Sequence, residues 1–365
     1  MICESIRQRC PDLSNFWHSD VDGRAYKVYF KGEGSVDVGG PFRDTLVNIV
    51  QEMEQGALPL LIKSPNNRND HGSYRDCFIL DPSATSPACL EMYRFMGAFL
   101  AFAILSKSPL PFNLAPPVWK QLLGENLTIS DLESIDAYSW QVLSDLRDNG
   151  AQLSDEDFEA GIEQYFTTAL SNGDEVVLCD GGDERRVTKN SIEEFIGLVL
   201  ERRFSEASEQ VKAIQKGIDQ VFMGKLGMIS YLTAEAVEVR ACGSKEVSIE
   251  RLKSVTSYSN CSESHEIVQR FWRVFESLSH PQRSNYLKFV WGRNRLPIDL
   301  SRLSRRHEVR LFDNLNPNGF PIAHTCFFQL DLPPYPNDEI MRQRLIQASE
   351  LCGAVDTDNN NFAED

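Results

Sequence analysis

The chain has 365 residues, of which 42% are hydrophobic and 25% charged, a balance that predicts a soluble globular protein of two or three structural units. Its 37 basic and 53 acidic residues give a net charge of −16, which argues against nucleic acid or an anionic membrane as the main partner. Nine cysteines without a CxxC pair or zinc-ligand spacing predict free thiols in a reducing compartment, with no metal or other cofactor.

No targeting segment is predicted. The N-terminus lacks a basic segment followed by an apolar one, as a signal peptide would have. The most apolar stretch, residues 95–105, is too short to span a bilayer. We therefore expect a protein of the cytoplasm, or of the nucleus as well.

The first 150 residues alternate between strand and helix patterns. Residues 26–30 predict a strand that runs into a glycine-rich turn at 32–40. The turn lacks both the Gly-Lys-Ser/Thr of a phosphate loop and the GxGxxG spacing of a dinucleotide site, so an ordinary turn is the better interpretation. Helices are expected from Phe42 onward, at 93–105, at 131–135 with Ser130 as the N-cap, and at 138–146.

From residue 153 the composition becomes acidic and predicts a small helical subdomain with a hairpin. A strand is expected at 175–178, with helices at 192–204 and 209–221. A polar cluster at 254–264 then predicts a hinge or linker. Helices follow at 267–278, from Gln282 toward Trp291 and at 339–352, and strands are expected on both sides of Cys326.

The run from His324 through Thr325 and Cys326 to Phe328 has the strongest chemical signal. Prolines soon after it predict that Cys326 lies at a strand end or in a tight connection, where a nucleophile is exposed and fixed. In an extended segment His324 would project from the same side as Cys326, so it could contact the thiol or hydrogen-bond locally. A cysteine hydrolase also needs an orienting Asn or Asp, and no convincing set is present.

A carrier cysteine is the other interpretation. A thiol that accepts an acyl group by thioester exchange needs access and a partner with an activated thioester, and positioning contributes most of the rate. A chain of two units joined by a polar hinge suits such a shuttle, because the carrier must meet donor and acceptor in turn.

Further motifs are spread along the whole chain, at residues 30–34, 39–40 and 43–44, 93–97, 131–136, 178–190, 242–243, 271–272, 289–297 and 324–327. In this order they resemble the catalytic domain of HECT-type ubiquitin ligases over essentially the full length. Asp44 stands where that family usually has Glu. The segments 291–293 and 328–335 look most like the giant HERC subgroup.

The resemblance implies a mixed α+β, bilobal HECT fold. The N-lobe, residues 1–258, would be large and mostly helical, and a small subdomain at about 150–228 would bind the ubiquitin-conjugating enzyme. Residues 259–263 would form a flexible hinge, and the α/β C-lobe, 264–365, would contain the catalytic cysteine. Since HECT proteins usually recognise substrates through preceding regions, the chain is expected to be part of a longer protein.

The resemblance also implies the reaction and the partners, which are ubiquitin, a conjugating enzyme and a protein substrate. Cys326 would accept ubiquitin as a glycyl thioester and pass it to a substrate lysine. His324 and Thr325 would shape the thiol environment and the oxyanion site, or only fix the backbone. Phe362 would pack into the lobe interface during transfer, and its position fourth from the end predicts a natural C-terminus.

Candidate residues for two supporting roles remain. A carboxylate could orient the lysine or accept its proton, and the candidates are Asp331, Glu364 and Asp365. An apolar surface would dock the conjugating enzyme, with the candidates Phe195, Leu198, Val199 and Phe204, some of which must instead be core. The alternative function is a catalytically inactive scaffold that binds ubiquitin or the conjugating enzyme, and retention of Cys326 and Phe362 argues against it.

Overall fold

The computed structural model describes residues 40–222, 231–244, 246–297, 300–303 and 305–355. Two compact units make up the chain. Among the described residues, the first contains Asn48–Leu105 and Phe112–Glu238, and the second contains Ser106–Pro111, Val239 onward and the start of the first helix. The strand predicted at 26–30, nearly all of the glycine-rich turn, and Phe362, Glu364 and Asp365 lie outside the described residues.

The chain up to Val221 is mostly helical. Its elements are α1 (Gly40–Glu54), β1 (Leu61–Lys63), α2 (Pro65–Asn69), β2 (Phe78–Leu80), α3 (Pro87–Ser106), α4 (Pro116–Leu122), α5 (Ile129–Ile135), α6 (Ala137–Asp148), α7 (Asp155–Gly161), β3 (Thr167–Ala169), β4 (Glu175–Val177), α8 (Ile192–Ser205) and α9 (Ser208–Val221). Strands β1 and β2 form one antiparallel hairpin, and β3 and β4 form another. The predicted helices and the strand at 175–178 are confirmed to within a few residues, apart from the start of α3, which begins six residues earlier.

Helix α3 lies in the core of the first unit and packs closely against α9. A Cβ atom on Gly97 would lie 2.0 Å from the Ile214 carbonyl oxygen, and one on Gly217 would lie 1.9 Å from that of Arg94. Only glycine permits this approach of the two backbones. The helix has 20 residues and is therefore longer than the apolar stretch predicted at 95–105, and by length and composition it could cross a membrane. However, 56% of its most apolar 18-residue segment is buried inside the protein, as in a core helix.

The start of α5 differs from the prediction. Thr128, and not Ser130, is the N-cap, because the helix already begins at Ile129. The Asp131 carboxylate accepts hydrogen bonds from the backbone N–H and the hydroxyl of Thr128, both at 2.8 Å. Asp131, the third residue of the helix, thus forms a capping box with Thr128, so Ser130 is not needed as a cap.

The β3–β4 hairpin and α8 share a small hydrophobic core of their own. The Phe166 and Phe195 rings meet edge to face with their centroids 5.7 Å apart. Leu143 of α6 and Phe158 of α7 are buried in the same cluster. The acidic segment therefore folds around an apolar centre.

The second unit combines a four-stranded sheet with helices. Elements from Ala234 onward are α10 (Ala234–Cys242), α11 (Ile249–Ser254), β5 (Thr256–Ser259), α12 (Glu266–Ser277), α13 (His280–Trp291), β6 (His307–Leu311), β7 (Ile322–His324), β8 (Gln329–Leu332) and α14 (Asp338–Val355). The strand order is β5-β6-β8-β7. Strand β6 pairs parallel with both β5 and β8, whereas β7 pairs antiparallel with β8.

The polar segment at 254–264 is not a linker throughout, so that prediction was wrong for its central part. Thr256–Ser259 form β5, which is hydrogen-bonded to β6 inside the second unit. Thr256 and Tyr258 favour strands, and serine composition alone hid this pattern. The lobe boundaries at 258 and 264 stay predictions.

Candidate active site

Cys326 lies in a short 3-10 turn between two strands. Strand β7 ends at His324, the turn spans Thr325–Phe327, and β8 begins at Gln329. The prediction of a tight connection flanked by strands is thus confirmed. The chain leaves the extended form after His324, so the expectation that His324 and Cys326 project from the same side of a strand does not apply.

Phe328 closes this turn in an unusual backbone conformation. Its φ is 55°, in the left-handed region, and its N–H donates to the Thr325 carbonyl oxygen at 3.3 Å. A phenylalanine adopts this region only where the surrounding structure imposes it. The conformation directly after Cys326 is therefore set by tertiary contacts.

Those contacts hold Phe328 on two sides. Its buried ring stacks on Trp291 with the centroids 4.6 Å apart, and the His307 ring lies at 5.0 Å. The Phe328 carbonyl oxygen accepts a hydrogen bond from the Glu308 N–H at 3.0 Å, which ties the turn to β6. Both ring packing and strand pairing thus fix the backbone at Cys326.

His307 belongs to a buried hydrogen-bond network beside Phe328. Its Nδ1 lies 2.9 Å from the Thr256 hydroxyl, and its Nε2 lies 2.8 Å from the Tyr286 hydroxyl. The Thr256 hydroxyl donates to the Leu252 carbonyl oxygen at 2.7 Å, so it accepts from Nδ1, and Nε2 accepts from Tyr286. Burial lowers the pKa of His307 to about 3, and the ring is therefore neutral at physiological pH.

A second network joins side chains of strands β6, β7 and β8. His324 Nε2 lies 3.0 Å from Asp331 Oδ2. Arg310 binds both oxygens of the same carboxylate, Nε to Oδ1 at 2.8 Å and Nη2 to Oδ2 at 2.9 Å. The Asp331 side chain is only 8% exposed, against 30% for Arg310 and 39% for His324. A buried carboxylate therefore connects a guanidinium with a more accessible imidazole.

The charge state of Asp331 follows from these contacts. Burial alone would raise the pKa of its carboxyl, but hydrogen bonds from Arg310 and His324 outweigh burial, and the pKa lies below its usual value. Of the two roles left open for His324, the structure shows the local hydrogen bond. A role of Asp331 as proton acceptor stays a prediction, while its geometry favours orienting His324.

Arg310 was missed by the sequence reasoning. The only signal for it is its position two residues after Glu308, which puts both side chains on the same face of β6. This signal identifies Asp331 as the partner of Arg310 only once the pairing register of β6 with β8 is known. Thr325 and Phe327, on either side of Cys326, are exposed. Within the parts of the chain that the structure describes, no group of three or more His, Cys, Asp or Glu could hold a metal ion.

A groove in the first unit is the other candidate site. We call it the α6–α8 groove, a cavity of about 660 Å³ whose lining includes Tyr138, Val142, Leu146, Phe195 and Val199. Tyr138 is 67% exposed and Val142 is 47% exposed. The groove thus offers an accessible apolar surface beside the β3–β4 hairpin.

The four predicted docking residues divide into two pairs. Phe195 and Val199 line the groove but are themselves buried in the core of the subdomain. Leu198 packs half-buried against that core, and Phe204 is half-buried; neither lines the groove. The accessible wall comes instead from α6, whose exposed apolar positions Tyr138 and Val142, four residues apart, were the signal in the sequence.

Buried ion pairs hold α6 and α8 in place around the groove. The Arg203 side chain is 2% exposed and lies 2.9 Å from Asp136 Oδ2 and 3.2 Å from Glu206 Oε2. Asp136 also caps α6 by accepting a hydrogen bond from the Ser139 N–H at 3.1 Å. Because Arg203 lies on α8 and Asp136 caps α6, their ion pair fixes the start of α6 against α8.

Known proteins resemble this chain along most of its length. The family model described as HECT-domain (ubiquitin-transferase) matches residues 48–356. The chain is 36% identical over 357 residues to the E3 ubiquitin-protein ligase HERC2 of Homo sapiens, covering 96% of this chain and 7% of that protein. It is 27% identical over 342 residues to the E3 ubiquitin-protein ligase HUWE1 of Mus musculus, covering 91% of this chain and 8% of that protein.

This chain therefore spans less than a tenth of the length of these curated relatives. The match to the family model extends over most of the chain, from α1 to the end of α14. This match confirms the resemblance to HECT domains that the motifs indicated. The identity with HERC2 confirms the likeness to a HERC protein. The chain belongs to the HECT-domain family of ubiquitin transferases.

Proposed function

We propose that this chain acts as the catalytic domain of a ubiquitin-protein ligase, in which Cys326 accepts ubiquitin as a thioester and passes it to a substrate lysine. The observation that supports this most directly is the position of Cys326. It lies in a strand-to-strand turn, next to exposed residues on both sides, and the conformation after it is fixed by Phe328. Such a position meets the need of a carrier thiol for access and fixed placement.

The first step exchanges one thioester for another. The Cys326 sulfur forms a bond to the C-terminal carbonyl carbon of ubiquitin, and the bond from that carbon to the sulfur of the conjugating enzyme breaks. Since the two thioesters are similar in energy, correct placement supplies most of the acceleration. In this proposal the stacked Trp291 and Phe328 rings provide that placement.

The partner that delivers ubiquitin docks, in this proposal, in the α6–α8 groove. The accessible wall of the groove is formed by Tyr138 and Val142, which suits an apolar surface of the conjugating enzyme. The exposed Asp145 and Glu175 also line the groove, which fits a partner with basic residues around its apolar surface. The buried Phe195 and Val199 form another part of the groove wall.

Transfer also requires that the carrier meets both partners in turn. We propose a two-lobe arrangement with a flexible connection between the lobes, in which the second lobe includes β5 and the elements after it. The division of the described chain into two compact units supports it. Because β5 is hydrogen-bonded into the sheet of the second unit, its pairing favours a pivot that precedes Thr256 over one at 259–263. The reaction is proposed to take place in the cytoplasm, and in the nucleus as well.

A thioester assay tests this function. The protein is mixed with activating enzyme, conjugating enzyme, ubiquitin and ATP, and a ubiquitin adduct that thiols remove is expected for the parent chain. Cys326→Ala should abolish the adduct, whereas the matched Cys261→Ala, a half-buried thiol of the same unit, should retain it. Binding without any adduct, across a panel of conjugating enzymes, would indicate the inactive scaffold, and cleavage of ubiquitin chains would indicate a hydrolase.

A further inference from the structure

We propose that His324 accepts the proton that the substrate lysine gives up, and that Asp331 and Arg310 are positioning residues that hold the imidazole for this task. This inference rests on the proposed function and adds the proton acceptor for its second step. It gives His324 a chemical role and Arg310 a role that the sequence did not suggest.

The strand register builds this arrangement. Arg310 of β6 and Ile322 of β7 are both register partners of Asp331, which lies on β8 between them. The guanidinium binds the two carboxylate oxygens in the side-by-side geometry that is the strongest for such a pair. The carboxylate is therefore immobilised before it reaches His324.

Hydrogen-bonding rules then determine the form of the His324 ring. An ionised carboxylate can only accept, so the nitrogen at 3.0 Å from Asp331, Nε2, has to donate. In a neutral ring the other nitrogen, Nδ1, then has the free lone pair. No hydrogen bond among the described residues occupies Nδ1, and the side chain is 39% exposed. An accessible proton acceptor is left on a ring whose orientation is fixed.

Asp331 itself is poorly suited to take the proton. Its two oxygens are already bound by Arg310 and His324, and it lies deeper than either of them. Its pKa lies below the usual value because the hydrogen bonds from Arg310 and His324 outweigh the effect of burial. What it can do is stabilise the imidazolium once the proton has arrived, as the aspartate of a Ser-His-Asp triad does.

The step balances as follows. The lysine nitrogen forms a bond to the thioester carbonyl carbon, the bond from that carbon to the Cys326 sulfur breaks, and the sulfur leaves with the electron pair. Before the attack the lysine ammonium gives one proton to His324 Nδ1, which passes it to water, and after the attack the nitrogen gives its second proton to the Cys326 thiolate. No oxidant or further reactant is needed.

A single-turnover experiment with two nucleophiles tests the proposal. Ubiquitin-loaded protein is separated from conjugating enzyme and ATP, and its discharge is timed with free lysine and with hydroxylamine. Hydroxylamine is largely uncharged at neutral pH and has no ammonium proton to lose before it attacks. His324→Gln is expected to slow discharge to lysine by about 100-fold, the lower end for loss of a general base, and discharge to hydroxylamine by no more than about twofold.

The positioning residues have graded expectations. Arg310→Met and Asp331→Asn should slow discharge to lysine by about tenfold or more, because the ring loses its fixed orientation or its tautomer. Arg310→Lys keeps the charge but loses the forked contact, so it should fall between Arg310→Met and the parent chain. The matched control is Arg273→Met, which removes an exposed arginine paired with Asp338 in the same unit and should leave both rates unchanged.

The outcomes separate three explanations. Equal slowing with both nucleophiles would mean that the three residues only support the Cys326 turn, and the proposal would be overturned. Unchanged lysine discharge in His324→Gln would overturn it as well. Failure of the parent chain to form a thioester at all would instead contradict the proposed function. If Arg310→Met does not fold, Arg310→Lys and His324→Gln still decide between these explanations.

Discussion

The Trp291 and Phe328 rings stack almost parallel, with an interplanar angle of 13° and their centroids 4.6 Å apart, directly behind the turn that contains Cys326. Phe328 has a φ of 55°, which costs on the order of 1–3 kcal/mol for a residue with a side chain. The ring stack and the hydrogen bond from the Glu308 N–H to the Phe328 carbonyl oxygen offset that cost. The geometry of the turn that contains Cys326 thus depends on a residue of α13, far from Cys326 in the sequence.

Trp291→Ala should therefore reduce both stability and ubiquitin loading. We expect a loss of about 2–3 kcal/mol in the free energy of unfolding, from the stack and the buried area of a half-exposed tryptophan. Loading of Cys326 should slow at temperatures where the variant is still folded, since Phe328 is no longer held. Thermal unfolding and initial rates of thioester formation measure the two effects, and loading at the parent rate in a destabilised variant would contradict this account.

The buried His307 predicts a pH dependence of stability. Its pKa is about 3 in the folded chain and near 6.5 when unfolded, so the unfolded chain takes up a proton first as the pH falls. Its contribution to stability is complete above pH 6.5 and is lost on acidification toward pH 3, by up to about 1.4 kcal/mol per pH unit.

His307→Phe should remove this contribution. Between about pH 6.5 and 5, where most carboxyl groups remain ionised in both states, the variant should lose stability less steeply than the parent chain. Chemical denaturation at several pH values gives the two slopes, and comparing slopes cancels the constant cost of the lost hydrogen bonds. Parallel curves would show that His307 is not buried as a neutral ring.

The crossing of α3 and α9 predicts a large effect from one methyl group. Gly97→Ala would place a Cβ 2.0 Å from the Ile214 carbonyl oxygen, so the helices must separate, at a cost of about 1–3 kcal/mol or more. The matched control is Gly197→Ala in α8, where no atom lies within 4 Å and helix propensity predicts a gain of about 0.5–1 kcal/mol. Shifts in midpoint temperature of equal sign for both variants would contradict the close approach.

The α6–α8 groove predicts a selective defect in the first step. Val142→Asp puts a charge on the apolar wall and should raise the KM for the loaded conjugating enzyme at least about tenfold, equivalent to about 1.4 kcal/mol. Ile129→Asp changes an apolar residue of similar exposure on α5, outside the groove, and should leave that KM unchanged. Discharge of preloaded Cys326 to lysine should be normal in both variants. If the two substitutions raise KM equally, the groove is not the docking surface.

Local patterns predicted the helices well, because their signals are contained within a few turns of chain. Helix α8, with its apolar residues at Ile192, Phe195, Ile196 and Val199, was found within one residue of its ends. Strand β5 was missed for the opposite reason. Its four polar or aromatic residues become a strand only through pairing with β6, which begins 48 residues later along the chain.

The turn that contains Cys326 could likewise be predicted from its immediate neighbours, whereas its surroundings could not. Asp331 was chosen as one acidic residue near Cys326, without any sign that its carboxylate would be bound by Arg310. That pairing follows from the parallel register of β6 and β8, and no local pattern encodes a register. The same holds for His307, whose place beside Phe328 depends on three separate elements.

The central claim is that Cys326 itself accepts ubiquitin, and Cys326→Ser tests it most directly. A serine at this position should trap ubiquitin as an oxygen ester, which thiols leave intact and hydroxide cleaves. Incubation of this variant with activating enzyme, conjugating enzyme, ubiquitin and ATP, followed by peptide mass spectrometry, is expected to find the C-terminal glycine of ubiquitin on residue 326. A thiol-sensitive adduct on one of the remaining eight cysteines in this variant would contradict the assignment of Cys326 as the acceptor.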